Sequence, residues 1–565
     1  MTKRNNEKNT GKVRSEEQTM LNSAYSYYGG VVRTSGRATT AGGVRRLLAA
    51  ALLSGASIAA VGLAGTGAAR AGTCVPQAGP GTQILCIGDF NETIDIDVED
   101  ATVTLGGGAM VDTTNEEASW YGDNIGIIVS GEGDQTVINN GTVLTGDYFD
   151  EYGGHHGIVA YASEGYDARA ENGSTGIIAT TGESSYGVYA STEWGWYGTA
   201  TAVNAGSVST TGEGSHGVHA DGKYANVENT GLVFTDGYEA HGLYAYGKYE
   251  VYVYNSGEVE TEGNYSDGIR AIADGYFEWG SGDVEIVNAE DGIIRTSGED
   301  SDGIYGSGDS VSVTNAGTIL TYGEDADGVA IYGYSVSLDN SGSIKTYGYD
   351  VDAVRAGSHG YTTTTIVNTG IIASYGEDSG AIEAFGPTVR ITNDVVIVDE
   401  EIVATGLIYS AEDKAIDIDE SDAAYLYNNG SIIGNVDIDV DEYALVDNSG
   451  SIFSDRYDET TLSINVYEGN AYFINREGGT VTATEDYSDA VNVTAEEGFA
   501  DLRNYGTIST GHTYTNEIDT YVYGHFATAA YAYGEDGALV LNTGTVTTVG
   551  EGSDALYAAS EYGVA

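Results

Sequence analysis

DGVAIYGYSVSLDNSGSIKTYGYDVDAVRAG, Asp327 to Gly357, repeats the order of elements in DGIYGSGDSVSVTNAGTILTYGEDADGVAIYG, Asp302 to Gly333. Each copy runs through a short apolar stretch, an Asn-x-Gly step, a second apolar stretch and an acidic Gly-bounded turn. Val311 and Val313 share the parity of Asn315, and Val336 and Leu338 share that of Asn340. The same holds for Val284 and Ile286 before Asn288, and for Val251 and Val253 before Asn255. Alternation of this kind places side chains on one face of a strand, with the Asn on the apolar face.

The step recurs along most of the chain. It is found at Asn139, Asn204, Asn229, Asn255, Asn315, Asn340, Asn368, Asn428, Asn448, Asn504 and Asn542. Spacings cluster near 25 to 28 residues, with others near 32 to 38. A second segment alternates likewise in GVHA from Gly217, GLYA from Gly242 and GIRA from Gly268. Each unit therefore holds about three short strands, and one unit cannot bury its own apolar face. Stacked units can, each strand pairing with its counterpart one coil away at about 4.8 Å. The reading is an all-β chain, a right-handed parallel β-helix of about 25–35-residue coils, roughly 70–80 Å long at that spacing. Asn204, Asn229, Asn255, Asn315, Asn340 and Asn368 should form a structural ladder at one bend, where amide side chains bond along the stack. Gly is assigned to the same bend for its backbone freedom.

The composition agrees. Gly is abundant (82) and Pro nearly absent (3), as short strands and tight turns require. The hydrophobic fraction, 41%, suffices for a core despite a net charge of -63. That charge repels nucleic acid and anionic lipid, so neither is an expected partner.

Before the repeats lies an export signal. Arg45 and Arg46 precede the apolar run Leu47 to Leu63, and Ala69-Arg70-Ala71 fits a small-residue cleavage rule with the cut between Ala71 and Gly72. The expected organisation is an extended signal peptide over 1–71, an N-terminal cap over 72–100 and repeats over 101–565, less regular from 394. Cys74 and Cys86 follow the signal, where an oxidising compartment permits a disulfide; a metal site would lack nearby His partners.

A signal followed by Asn-x-Gly-x-[Ile/Val] and Gly-[Ile/Val]-x-Ala coils resembles the passenger region of bacterial autotransporters of the type V secretion pathway. CVPQAGPGTQILCIGDF, Cys74 to Phe90, is similar to the amino-terminal cap of such passengers. The resemblance implies export, display at the outer membrane or outside the cell, and an adhesin-like role. It also implies an outer-membrane translocator barrel as partner. ALYAASEYGVA, Ala555 to Ala565, still carries the coil pattern, so the barrel is expected beyond this sequence or on another chain.

Candidate chemistry lies on the surface. The turns GEDSDG and GEDADG would stack Glu299, Asp300, Asp302, Glu324, Asp325 and Asp327 about 5 Å apart. Like charges at that spacing repel unless a hard cation such as Ca²⁺ bridges them. The competing reading is a solvated acidic edge. In KYEVYVYN, Tyr249, Tyr252 and Tyr254 are assigned to the face opposite Val251, Val253 and Asn255, and Tyr322, Tyr347 and Tyr375 precede equivalent turn glycines. Rows of exposed Tyr suit contact with glycans or surface proteins. His216 and His241 recur at one slot and are expected in a solvent-exposed ladder position, not at a metal. No catalytic motif is present, so no enzyme is expected. A polysaccharide lyase or hydrolase is the alternative, and adaptation to high salt can coexist with adhesion.

Overall fold

A computed structural model describes residues 72–77, 81–114, 125–146, 154–163, 165–192, 198–274, 282–398, 401–515 and 520–565. The signal segment up to Ala71 lies outside the described residues, and Gly72 is the first residue within them.

Alternation dictates the architecture. In Ile304–Asn315 the inward residues Ile304, Val311, Val313 and Asn315 are buried, while Ser312 and Thr314 face outward. The strand pairs in parallel with Val329–Asn340 one coil on, Val311 against Val336 and Asn315 against Asn340. The same register links coil to coil from Ala101–Leu105 to Leu556–Ser560, so nearly all the strands join one sheet system wound as a parallel β-helix. A regular coil has three strands, as in Ile158–Ala162, Ala168–Asn172 and Ile177–Thr180. In some coils the first two fuse, as in Val218–Asn229.

The interior is a column of Val, Ile, Leu and Ala side chains with essentially no exposure. Each fully buried Val or Ile contributes about 1.5–3 kcal/mol. No single coil retains that burial without its neighbours.

The asparagine ladder is continuous. Asn204 donates from Nδ2 to Asn229 Oδ1, Asn229 to Asn255, Asn315 to Asn340, and Asn340 to Asn368, each at 2.8–2.9 Å. Asn139, Asn172, Asn288, Asn393, Asn475 and Asn504 extend the same chain of bonds to Asn542. All but the terminal Asn542 are fully buried. The corner glycines play a different part from the one expected. None has positive φ; a Cβ on Gly231 would lie 2.1 Å from the carbonyl oxygen of Gly206 one coil below. They are small because coils approach closely, not because the backbone turns left-handed.

At the amino-terminal end, Thr73–Gln77 and Thr82–Ile87 pair antiparallel, with Cys74 opposite Cys86 and the two joined by a disulfide. Thr82–Ile87 also pairs with Ala101–Leu105, so the hairpin covers the first coil. In the later part, an antiparallel hairpin (Val395–Val398 with Glu401–Thr405) and a second one (Thr513–Thr515 with Thr520–Val522) interrupt the repeat.

Candidate functional site

The acidic turn is built from two conformational demands. Its third residue sits in the left-handed region: Asp300 at φ 51°, Asp325 at 53°, Asp350 at 55° and Asp378 at 53°. Asp tolerates that region better than most residues because its short side chain bonds locally. The residue two further on turns along the stack. Asp327 N–H donates to Asp302 Oδ1 and Asp352 N–H to Asp327 Oδ1, both at 2.8 Å, and Asp302 N–H donates to Asp267 Oδ1 at 3.0 Å.

The six candidate Ca²⁺ ligands are therefore divided. Glu299, Glu324 and Asp325 are exposed, and Asp300 is half-buried at the turn tip. Asp302 and Asp327 are committed to backbone amides. Among the described residues no three His, Cys, Asp or Glu side chains converge as metal ligands. The stacked carboxylates are satisfied by N–H groups of the next coil and by Arg270, whose Nη1 lies 2.7 Å from Asp267 Oδ2.

Upstream, the same slot is filled by rings. His156 Nδ1 accepts from Tyr186 N–H at 3.0 Å, His216 Nδ1 from His241 N–H at 3.1 Å, and His241 Nδ1 from Asp267 N–H at 3.0 Å. His156, Tyr186, His216 and His241 stack at centroid separations of 4.7–5.0 Å, with ring planes within 23°. Beside them Tyr189, His219 and Tyr244 form a second column at 4.7–4.9 Å. The expectation of solvent-exposed histidines fails here: His216 and His241 are each 8% exposed, because each ring is covered by its coil neighbours and by the second column. Burial, then repulsion from Arg270 and His156, pulls His216 down to about 3; burial and His155 do the same to His156. Burial drives the aspartates the other way, raising Asp302 and Asp327 above the usual carboxylate range.

The tyrosine rows also differ from expectation. Tyr322 (50%) and Tyr347 (43%) are exposed, but Tyr375, Tyr249, Tyr252 and Tyr254 are half-buried. A bulge between Gly247 and Glu250 brings Tyr249 beside Tyr224 and under Lys223 and Lys248. Tyr322, Tyr347 and Tyr375 stack at 5.0–5.1 Å with planes within 10°. Their faces are turned to one another, so the column offers edges and hydroxyls to a partner.

Sequence reading missed Asp267 and Asp352, which continue the ladder, although GNYSDG and GYDVDA hold the same turn slot. It also missed a polar cavity of about 260 Å³ lined by Asp350, Asp352, Arg355, Asp378, Glu383, Lys414 and Asp417, among others. The cavity opens where Gly380 takes the ladder position and leaves no side chain above Asp352. Burial and the adjoining Glu383 push the Asp352 carboxyl up. Lys414 Nζ bridges Asp417 and Asp437 at 2.9 Å each.

Residues 150–337 match the family model of the BigA third pectate lyase-like domain. The match covers the His column and most of the Asp column, and ends before the cavity. It agrees with the parallel β-helix traced through the coils. No curated protein and no solved structure shows significant similarity to the chain.

Proposed function

We propose that this chain is an exported β-helix displayed at a bacterial cell surface, where it acts as an adhesin or matrix component. The observation that carries the reading is repetition. Outward residues recur at one strand spacing coil after coil, so a partner meets many weak contacts on a stiff support, and avidity follows from their number. Export, the outer-membrane or extracellular location and the translocator barrel follow from the resemblance to autotransporter passengers. Glycans or surface proteins are the partners; the net charge of -63 disfavours nucleic acid. The test is retention of beads carrying the chain on a target cell layer under flow. Retention should rise more steeply than linearly with coating density and should survive loss of any single surface Tyr. A linear dependence would contradict multivalent contact.

A second reading has one observation in its favour. The cavity at Asp352, Glu383 and Arg355 gathers carboxylates of unlike environment, as polysaccharide-cleaving chemistry requires. Release of soluble sugar from a polysaccharide by the chain, abolished in Glu383→Gln with the fold intact, would establish it.

A further inference from the structure

The asparagine corner is not built alike in every coil. At Asn204, Asn229 and Asn255 one residue (Ala205, Thr230 or Ser256) separates the Asn from the corner Gly. At Asn172 and Asn288 three residues do, in Asn172-Gly-Ser-Thr-Gly176 and Asn288-Ala-Glu-Asp-Gly292. The longer corners close on their own turn bonds, Gly176 N–H to the Gly173 carbonyl and Gly292 N–H to the Ala289 carbonyl, each at 2.8 Å. Their tips, Ser174 with Thr175 and Glu290 with Asp291, stand exposed as two ridges.

Between the ridges lies an open trough of about 550 Å³. Gly206, Gly231 and Gly257 form its floor, kept bare because a Cβ on any of them would meet a carbonyl oxygen of the coil below at 2.1–2.2 Å. One wall is a strand column in register from coil to coil: Ile177, Ser207, Leu232, Glu258 and Ile293. The facing wall is Ala205, Thr230 and Ser256. Four coil steps separate Ile177 from Ile293, about 19 Å at about 4.8 Å each. Leu232, midway along, is 52% exposed. Among the described residues, the hydroxyls of Ser207, Thr230 and Ser256 bond to no other group of the protein. Glu258 is paired with Arg295, so the middle of the trough carries no free charge. The main-chain N–H groups of Thr230, Leu232, Ser256 and Glu258 are all committed to the coil below, at 2.8–2.9 Å.

We propose that this trough binds a straight, neutral chain of pyranose sugars, the flat β-1,4-linked kind, at about one ring per coil step. The proposal rests on the adhesive reading above and names its partner. Such a chain offers apolar C–H faces and hydroxyl edges. The first suit the wall that holds Leu232, and the second suit the hydroxyls of Ser207, Thr230 and Ser256. An extended peptide repeats on one face about every 6.8 Å, out of step with the coils. Its main chain would also find no uncommitted N–H among these four. An acyl chain needs a continuous apolar wall, and Ser207 and Glu258 interrupt this one. Polyuronates are repelled by the net charge of -63.

The test titrates the full chain with cellotetraose, followed by NMR, with maltotetraose as the coiling control. Cellotetraose should bind, and maltotetraose should bind at least about tenfold more weakly. Leu232→Ser should weaken cellotetraose about fivefold, the transfer free energy of roughly half a leucine side chain. Ser207 holds the equivalent position one coil back, so this variant should keep the wild-type melting temperature. Thr230→Ala combined with Ser256→Ala should weaken binding roughly thirtyfold, the loss of two neutral hydrogen bonds. Ala205 holds that corner position in the first coil of the trough, so the fold should again be kept. Ser341→Ala, at the same corner position outside the trough, should leave binding unchanged. Absence of cellotetraose binding, equal binding of maltotetraose, or indifference to Leu232→Ser and to the double variant would overturn the proposal. So would an octapeptide of alternating Thr and Val that binds as tightly with the same dependence on Leu232, since the trough would then be a peptide groove. Bead retention separates the two readings. Retention by the double variant without tetraose binding removes only this ligand, whereas a linear dependence on coating density in the unaltered chain removes adhesion itself.

Discussion

One ladder slot runs through two chemistries. Between His156 and His241 it is filled by stacked rings, and between Asp267 and Asp352 by carboxylates. In both halves the His or Asp side chain accepts the backbone N–H of the following coil. The rings do so only while Nδ1 is unprotonated; a carboxyl keeps a carbonyl acceptor after it takes up a proton. The two halves should therefore answer acid in opposite ways. The histidines titrate lower in the fold than in the unfolded chain, so their contribution is present above about pH 6.5 and is lost as pH falls. The aspartates titrate higher in the fold, so stability in their half rises as pH falls from neutral toward about 4.

The contrast can be broken at graded cost. The largest effect belongs to what the halves share. Asn204→Ala removes the bonds from Asn172 and to Asn229, and Asn315→Ala those from Asn288 and to Asn340, at about 0.5–1.5 kcal/mol per bond with the lost side-chain packing added. Both variants should therefore lose about 2–5 kcal/mol in denaturant unfolding, with the nearest coils losing hydrogen-exchange protection. Unequal losses would mean that the halves differ in more than the slot. Next comes His216→Asn, which keeps an acceptor but removes four ring contacts, to Tyr186, His219, His241 and Tyr244. It should cost about 1–3 kcal/mol at pH 7 and flatten the acid sensitivity of its coil. Asp327→Asn keeps the acceptor for Asp352 N–H and removes a carboxylate that burial has pushed up to about 6. It should gain about 1–2 kcal/mol at pH 7, a gain that fades near pH 4 when the wild-type carboxyl is protonated. Tyr322→Phe, at an exposed hydroxyl, should change the melting temperature by no more than the equivalent of about 0.5 kcal/mol.

The β-helix was legible because its signal is periodic. Parity around Asn315 and Asn340, repeated down the chain, leaves one face to bury and one way to bury it. Four ladder members, Asn172, Asn288, Asn393 and Asn475, were harder to see as corners because Gly does not follow two residues on, in Asn172-Gly-Ser, Asn288-Ala-Glu, Asn393-Asp-Val and Asn475-Arg-Glu. The surface was less legible. Whether His216 or Tyr375 is covered depends on the rings one coil above and below, which are 25 to 35 residues away in sequence. Parity assigns a face; it says nothing about how a column of rings shields itself. Tyr249 shares the parity of Val251, and its place beside Tyr224 comes from the bulge between Gly247 and Glu250, not from alternation. The acidic turns were read as a charge pattern, whereas their spacing reflects φ at Asp300 and Asp325 and amide capping by Asp302 and Asp327.

The most direct test is amide hydrogen exchange read by mass spectrometry at pH 7 and pH 5, corrected for the intrinsic rate. Peptides spanning 186–245 should lose protection at pH 5, while those spanning 300–352 should hold or gain it. Loss in both halves together, or no change in the His half, would contradict the account of a single slot carrying two opposed chemistries.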